Sequence, residues 1–263
     1  MTSSARVLAI AALLIVAGCG SGDPTPSPTT TQVSEGRFVP VYQAAGADTQ
    51  GEEKLLRERR VLEDFADSMN AYVRIPRDVQ VIAKDCGEAN AFYQADDHTI
   101  TLCYELQSAE RKLFAKDGTA GEPLDQQVYN SAVGTLYHEA GHALIWELDL
   151  KITGREEDVA DQLAAYALTS DDEFKDVLLT VADSYKLSAD EVKSLEDLPF
   201  YDTHSLDQQR SVNFLCYLYG ADEAQFKFLV DDGELPQERA DTCVDEYNQL
   251  VGGWESLLKP HVR

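Results

Sequence analysis

Apolar residues fall at helical spacing in the segment 51–72, GEEKLLRERRVLEDFADSMNAY, where Leu55, Leu62, Phe65, Met69 and Tyr72 recur every three, four or seven positions. Arg74-Ile75-Pro76 ends that pattern. Three short runs follow: Val79–Ala83, Asn90–Tyr93 and Thr99–Tyr104. The last two are separated by the polar turn Ala95-Asp96-Asp97-His98. They predict a small antiparallel sheet over 79–104. From Glu105 onward the pattern is helical, with breaks at 116–123, 150–155 and 198–203. The expected class is α+β, a short sheet followed by a mostly helical remainder.

Residues 131–148, SAVGTLYHEAGHALIWEL, are apolar around most of the helix circumference, which marks a buried helix. Yet they include His138, Glu139 and His142. Burying ionisable groups is costly unless they are paired or hold a metal. Positions four apart leave one face of a helix a turn apart, so both imidazoles can reach one ion. This is the HExxH pattern, in which two His bind Zn²⁺ and the intervening Glu serves as general base. The other reading of the five residues is a core helix with a satisfied His–Glu network.

A carboxylate ligand is sought downstream, in GREEDVADQLAAY at 154–166. Glu157 and Asp161 lie on one face of a helix starting near Arg155, beside the small residues Ala160 and Ala164. Glu157 is the expected third ligand, with Glu156 and Asp158 as alternatives, leaving an open position for water. Asp161 is expected to accept the second N–H of a ligating His. An acidic first turn is favourable at any helix N-terminus, but that does not account for Asp161 among Ala160, Leu163 and Ala164. The expected chemistry is hydrolysis by a water activated on Zn²⁺. Glu139 carries the proton, and a donor for the oxyanion comes from His204 or Tyr201 in PFYDTHSLDQQR. His204 could instead pair with Asp202 or Asp207, and Arg210 could be an internal ion-pair partner.

HExxH followed by ExxAD resembles the gluzincins, zinc metallopeptidases whose third ligand is a Glu on a later helix. Asn90-Ala91-Phe92-Tyr93 resembles the edge strand of thermolysin-like enzymes. That resemblance implies that Asn90 and Ala91 hold substrate main chain by strand addition. The runs CGEANAFY, ITLCYEL, HEAGHALI, GREEDVADQLA and HSLDQQR…CYLYG are similar to an uncharacterised family of bacterial metallopeptidase-like proteins over roughly residues 70–220. The gap from His142 to Glu157 is shorter than in thermolysin, so the likeness to that enzyme is confined to the core.

The N-terminus changes the expected location. Arg6 and the apolar run Val7–Ala17 read as a signal peptide, too short to span a bilayer. Val16-Ala17-Gly18-Cys19 resembles the lipobox of bacterial lipoproteins, which implies cleavage after 18 and lipidation of Cys19. Residues 19–36 then form a Pro/Thr/Ser-rich tether, and 37–263 the metallopeptidase-like domain. The remaining cysteines, Cys86, Cys103, Cys216 and Cys243, are even in number and suit disulfides in an exported protein. Of three possible pairings, the pairs nearest in sequence are expected. Charge adds an exclusion: 22 Lys+Arg against 47 Asp+Glu give a formal −25, which argues against nucleic-acid partners. The expected partners are a peptide or protein substrate, and a membrane through the lipid anchor. Two competing functions remain: a non-catalytic surface lipoprotein with a structural metal site, and a zinc amidase acting on cell-wall peptides.

Overall fold

The computed structural model describes residues 35–170 and 174–263. The expected signal peptide 1–18, the lipidated Cys19 and all but the end of the 19–36 tether lie outside the described residues. The elements are β1 (Phe38–Tyr42), α1 (Gln50–Glu58), α2 (Val61–Tyr72), β2 (Val79–Lys84), β3 (Ala91–Gln94), β4 (Thr99–Cys103), α3 (Tyr104–Lys116), α4 (Glu122–Glu147), α5 (Glu156–Thr169), α6 (Lys175–Asp190), α7 (Asp207–Ala221), α8 (Phe228–Asp231) and α9 (Gln237–Leu258). The class is α+β, as expected. No helix among the described residues is long and apolar enough to cross a membrane.

The sheet corrects the expected antiparallel arrangement. Its order is β1-β2-β4-β3, with β1–β2 and β2–β4 parallel and only β3–β4 antiparallel. β4 is buried along nearly its whole length and takes a central place, as a strand covered on both faces does. Half-buried β3 is pushed to the edge. β1 was not expected from the sequence. It is short, carries Pro40, and sits at the opposite edge, where a proline is tolerated. The single helix expected over 51–72 is two, because Arg60 adopts a left-handed φ of 53° between α1 and α2. That kink buries Leu56 on α1 and Leu62, Phe65 and Met69 on α2.

α4 runs through the middle of the molecule, touching the sheet, α2, α3, α5 and α6. Pro123 starts it, in the first turn where a missing N–H costs nothing. Its glycines set the packing distances. A Cβ on Gly141 would lie 2.6 Å from Ala160 Cα, so α5 approaches α4 backbone to backbone there. The expected pairs Cys86–Cys103 and Cys216–Cys243 are both bonded, with Cα–Cα distances of 5.5 and 5.1 Å. The first ties the loop entering β3 to the end of β4. The second ties α7 to α9.

Candidate metal centre

All but one of the site's side chains stand on helices. His138, Glu139 and His142 stand on α4, Glu156, Glu157 and Asp161 on α5, and His204 on the loop before α7. The close contact at Gly141–Ala160 brings the first turn of α5 over the two imidazoles. There the Nε2 atoms of His138 and His142 are 3.2 Å apart. Glu157 Oε2 lies 3.3 Å from the first and 3.2 Å from the second.

The other ring nitrogens are fixed. His138 Nδ1–H donates to Asp161 Oδ1 at 2.7 Å, and His142 Nδ1–H donates to Glu156 Oε1 at 2.8 Å. With the proton on Nδ1 in both rings, both Nε2 atoms present lone pairs. In that neutral tautomer three acceptors, two imidazole and one carboxylate, converge on one space. A divalent cation satisfies such a cluster, and two nitrogens plus one carboxylate oxygen is a donor set of catalytic zinc sites. Protons compete for the same space. Burial pulls the His138 imidazolium down, but Asp161 and Glu157 outweigh it and push its pKa up to about 9. Burial likewise raises Glu157, yet hydrogen bonds from His138, His142 and His204 overcome this and hold its carboxyl far below the usual range. Cys86, Cys103 and Glu105 also cluster, but the disulfide leaves no thiolate there.

The three acids at the start of α5 have separate tasks. Glu157 faces the shared space. Glu156 orients His142 and also accepts from Trp146 Nε1–H at 3.0 Å. Asp158 pairs with Arg155 and accepts from Ser205 Oγ–H at 2.7 Å, tying α5 to the loop that carries His204. Asp161 is buried and takes two bonds from Arg210, at 2.9 and 2.7 Å. Burial would raise its carboxyl, but Arg210 and His138 hold it down at about 2. Arg210 in turn stacks 4.1 Å from the Tyr185 ring centroid. So Asp161 is the expected partner of a His, and Arg210 the expected internal ion-pair partner.

His204 does pair with Asp202: its backbone N–H and its Nδ1–H both donate to Asp202 Oδ1, at 2.9 and 3.0 Å. It also faces the centre, with Nε2 2.9 Å from Glu157 Oε2 and its ring near-parallel to His138. Tyr201 is not brought to the centre. It is 94% exposed and lines none of the cavities that meet there. Glu139 is 5% exposed, and its Oε2 has no hydrogen-bond partner. Burial pushes its carboxyl up, against the pull of the two imidazoles.

An open cleft of about 660 Å³ lies over these groups. β3, with Asn90 before it, forms one wall, and Trp146, Arg155 and Thr203 stand on the others. Asn90 Oδ1 accepts from the Ala91 N–H at 2.9 Å. Being an edge strand, β3 pairs with β4 on one side only; on its outer edge the Ala91 N–H is held by Asn90 and the Tyr93 N–H by Glu139, both of which a strand added there would have to displace. A network at the end of α4 fixes this strand. Glu147 accepts from Tyr93 Oη–H and His98 Nδ1–H, each at 2.6 Å, and pairs with Arg77 at 3.2 Å.

Trp146 was not expected from the sequence, and Glu156, weighed there as a ligand, instead orients His142. Trp146 lies four residues after His142, and Glu156 is next to Glu157, so their proximity was readable once the helices were placed. Asp202 lies two residues before His204, the spacing at which an Asp side chain caps its own backbone.

Over residues 42–258 the chain matches the family model described as "Putative metallopeptidase". No curated protein and no solved structure matches it. Because the match covers most of the chain and includes every residue of the centre, this protein belongs to that metallopeptidase family.

Proposed function

We propose that the protein is a zinc-dependent endopeptidase of the HExxH-plus-Glu type, exported and anchored to the outer face of the cytoplasmic membrane through a lipidated Cys19. The observation that carries the chemistry is the convergence of His138 Nε2, His142 Nε2 and Glu157 Oε2 with both Nδ1 atoms tied to carboxylates. These three residues would hold Zn²⁺, which when bound supplies Lewis acidity to activate water and polarise a carbonyl. Glu139, buried beside them with a free Oε2, takes the proton of the attacking water and passes it to the leaving amine. Its upward-shifted carboxyl suits a group that must hold and return a proton. His204, oriented by Asp202, turns an Nε2–H toward the centre and can donate to the oxyanion that develops. Asn90, Ala91 and the outer edge of β3 align the substrate as an added strand, the chain displacing Asn90 Oδ1 from the Ala91 N–H. The cleft is open along this edge, which suits an internal peptide segment.

One observation favours the alternative of a structural metal site. His204 Nε2, Glu157 and His138 present ligand atoms within 4.8 Å of one another, so His204 could close a fourth position. Structural sites are closed, whereas catalytic ones keep a position open. The His204→Ala variant separates the two. As an oxyanion donor, His204 can be removed with zinc affinity kept and peptide cleavage reduced by ~10²–10³-fold. As a fourth ligand, its loss takes zinc with it. The assay is zinc affinity alongside cleavage of a peptide library by the full chain, and acyl labelling of Cys19→Ser tests the anchor.

A further inference from the structure

A second cavity, about 260 Å³, opens from the centre on the far side of His138 and Glu139. It shares Asn90, Ala91 and His204 with the main cleft, so a side chain next to a bond held over the centre can enter it. It has room for one side chain. We propose that this cavity is the subsite for a lysine or arginine side chain flanking the scissile bond, with the Glu110 carboxylate as its counter-charge. The proposal rests on the peptidase reading above and adds its substrate class.

The walls and the charge both point this way. Leu106, Val181 and Phe214 line the cavity and suit the aliphatic stem of a long cationic side chain. Polar groups line it as well. Glu110, on α3, faces the cavity, and Ser184 Oγ–H donates to its Oε2 at 2.7 Å. Ser131 on α4 supplies a second bond. Two hydroxyl donors leave acceptor capacity on the carboxylate, which has about four lone-pair sites. Among the described residues no Lys, Arg or His nitrogen pairs with Glu110. Arg210 also lines the cavity, its charge paired with Asp161 through two hydrogen bonds. Burial accordingly pushes the Glu110 carboxyl up. A buried carboxyl without a counter-charge is costly, and a cation entering the cavity removes that cost. An acidic side chain would face Glu110 and Glu139 together. An apolar one would leave Glu110 as it is. The formal charge of −25 also draws cationic chains toward the molecule.

The test uses the zinc-loaded full chain and uncleavable peptides, with a ketomethylene unit in place of the scissile amide. Lysine, norleucine or glutamate is placed on either side of that unit. Binding is measured by calorimetry for wild type and Glu110→Gln. Wild type should bind the lysine peptide at least ~10-fold tighter than the norleucine peptide, from one charge-assisted contact, and the glutamate peptide most weakly. In Glu110→Gln the lysine-to-norleucine ratio should fall toward one. Equal binding of lysine and norleucine by wild type overturns the subsite, whether or not the variant folds. A ratio unchanged in Glu110→Gln overturns the role of Glu110. Matching peptides with ordinary amide bonds separate this from the function itself. Cleavage without lysine preference defeats the subsite alone, whereas lysine-selective binding without cleavage defeats the peptidase reading alone.

Discussion

His138 and His142 each give one nitrogen to the shared space and have the other bound to a carboxylate, so their tautomers are set before any ion arrives. This makes the surrounding acids unequal in a testable way. Glu157→Gln removes the charge of a proposed ligand, so zinc affinity should fall together with activity. Asp161→Asn leaves all three ligands in place but weakens the orientation of His138. Its expected effect is ~10–100-fold on zinc affinity or activity. Competition with a chromophoric chelator measures both affinities. If Asp161→Asn lost zinc as completely as Glu157→Gln, Asp161 would have to be a ligand itself.

At the scale of elements, the centre depends on how closely α5 can lie on α4. Gly141 within HEAGH and Ala160 within ExxAD meet at backbone distance, so the two halves of the site share one packing contact. Gly141→Ala should gain ~1 kcal/mol in helix propensity. Overpacking typically costs ~1–3 kcal/mol, and here the new methyl meets backbone that cannot rotate away. The prediction is a net loss of stability and weaker zinc binding, because Glu157 rides on α5. Thermal melts and zinc affinity check it, and unchanged zinc affinity would show that this contact does not place Glu157. Much of this was legible in the sequence. The His spacing, the small residues Ala160 and Ala164, and the helix breaks at 116–123 and 150–155 all follow local rules, and both disulfides join the nearest pairs. The sheet was less legible. In sequence order β3 follows β2, yet β4 inserts between them, because the choice of central strand depends on burial from both faces. Glu156 was weighed as a ligand and its part in orienting His142 was missed, because that part arises from two helices brought together in space.

At the scale of the molecule, the buried Arg210–Asp161 pair links α7 to α5 and, through His138, to α4. Asp161 titrates at about 2 in the folded chain against an ordinary 3.8. A depressed carboxyl contributes stability that is present above 3.8 and lost as pH falls from there toward 2. The contribution is about 2 kcal/mol. Urea unfolding of the metal-free protein at pH 6, 4 and 2.5 should show this loss between the last two. Arg210→Met should be less stable at pH 6 by ~1–3 kcal/mol, since Asp161 loses both guanidinium bonds and keeps only the one from His138. Equal stability of wild type and variant at pH 6 would contradict the pairing as a source of stability.

Under the proposed function, the cluster on α4 and α5 holds a zinc ion used for hydrolysis and not only for folding. The most direct measurement is a zinc titration of the metal-stripped full chain, reading bound metal and peptide cleavage together, for wild type and Glu139→Gln. The account predicts that both bind about one equivalent, as a three-ligand site does. Cleavage should rise with occupancy in wild type alone, with Glu139→Gln lower by at least ~10²–10⁴-fold. A wild type that fills with one equivalent and cleaves nothing in a broad peptide library would contradict it, as would Glu139→Gln losing the metal.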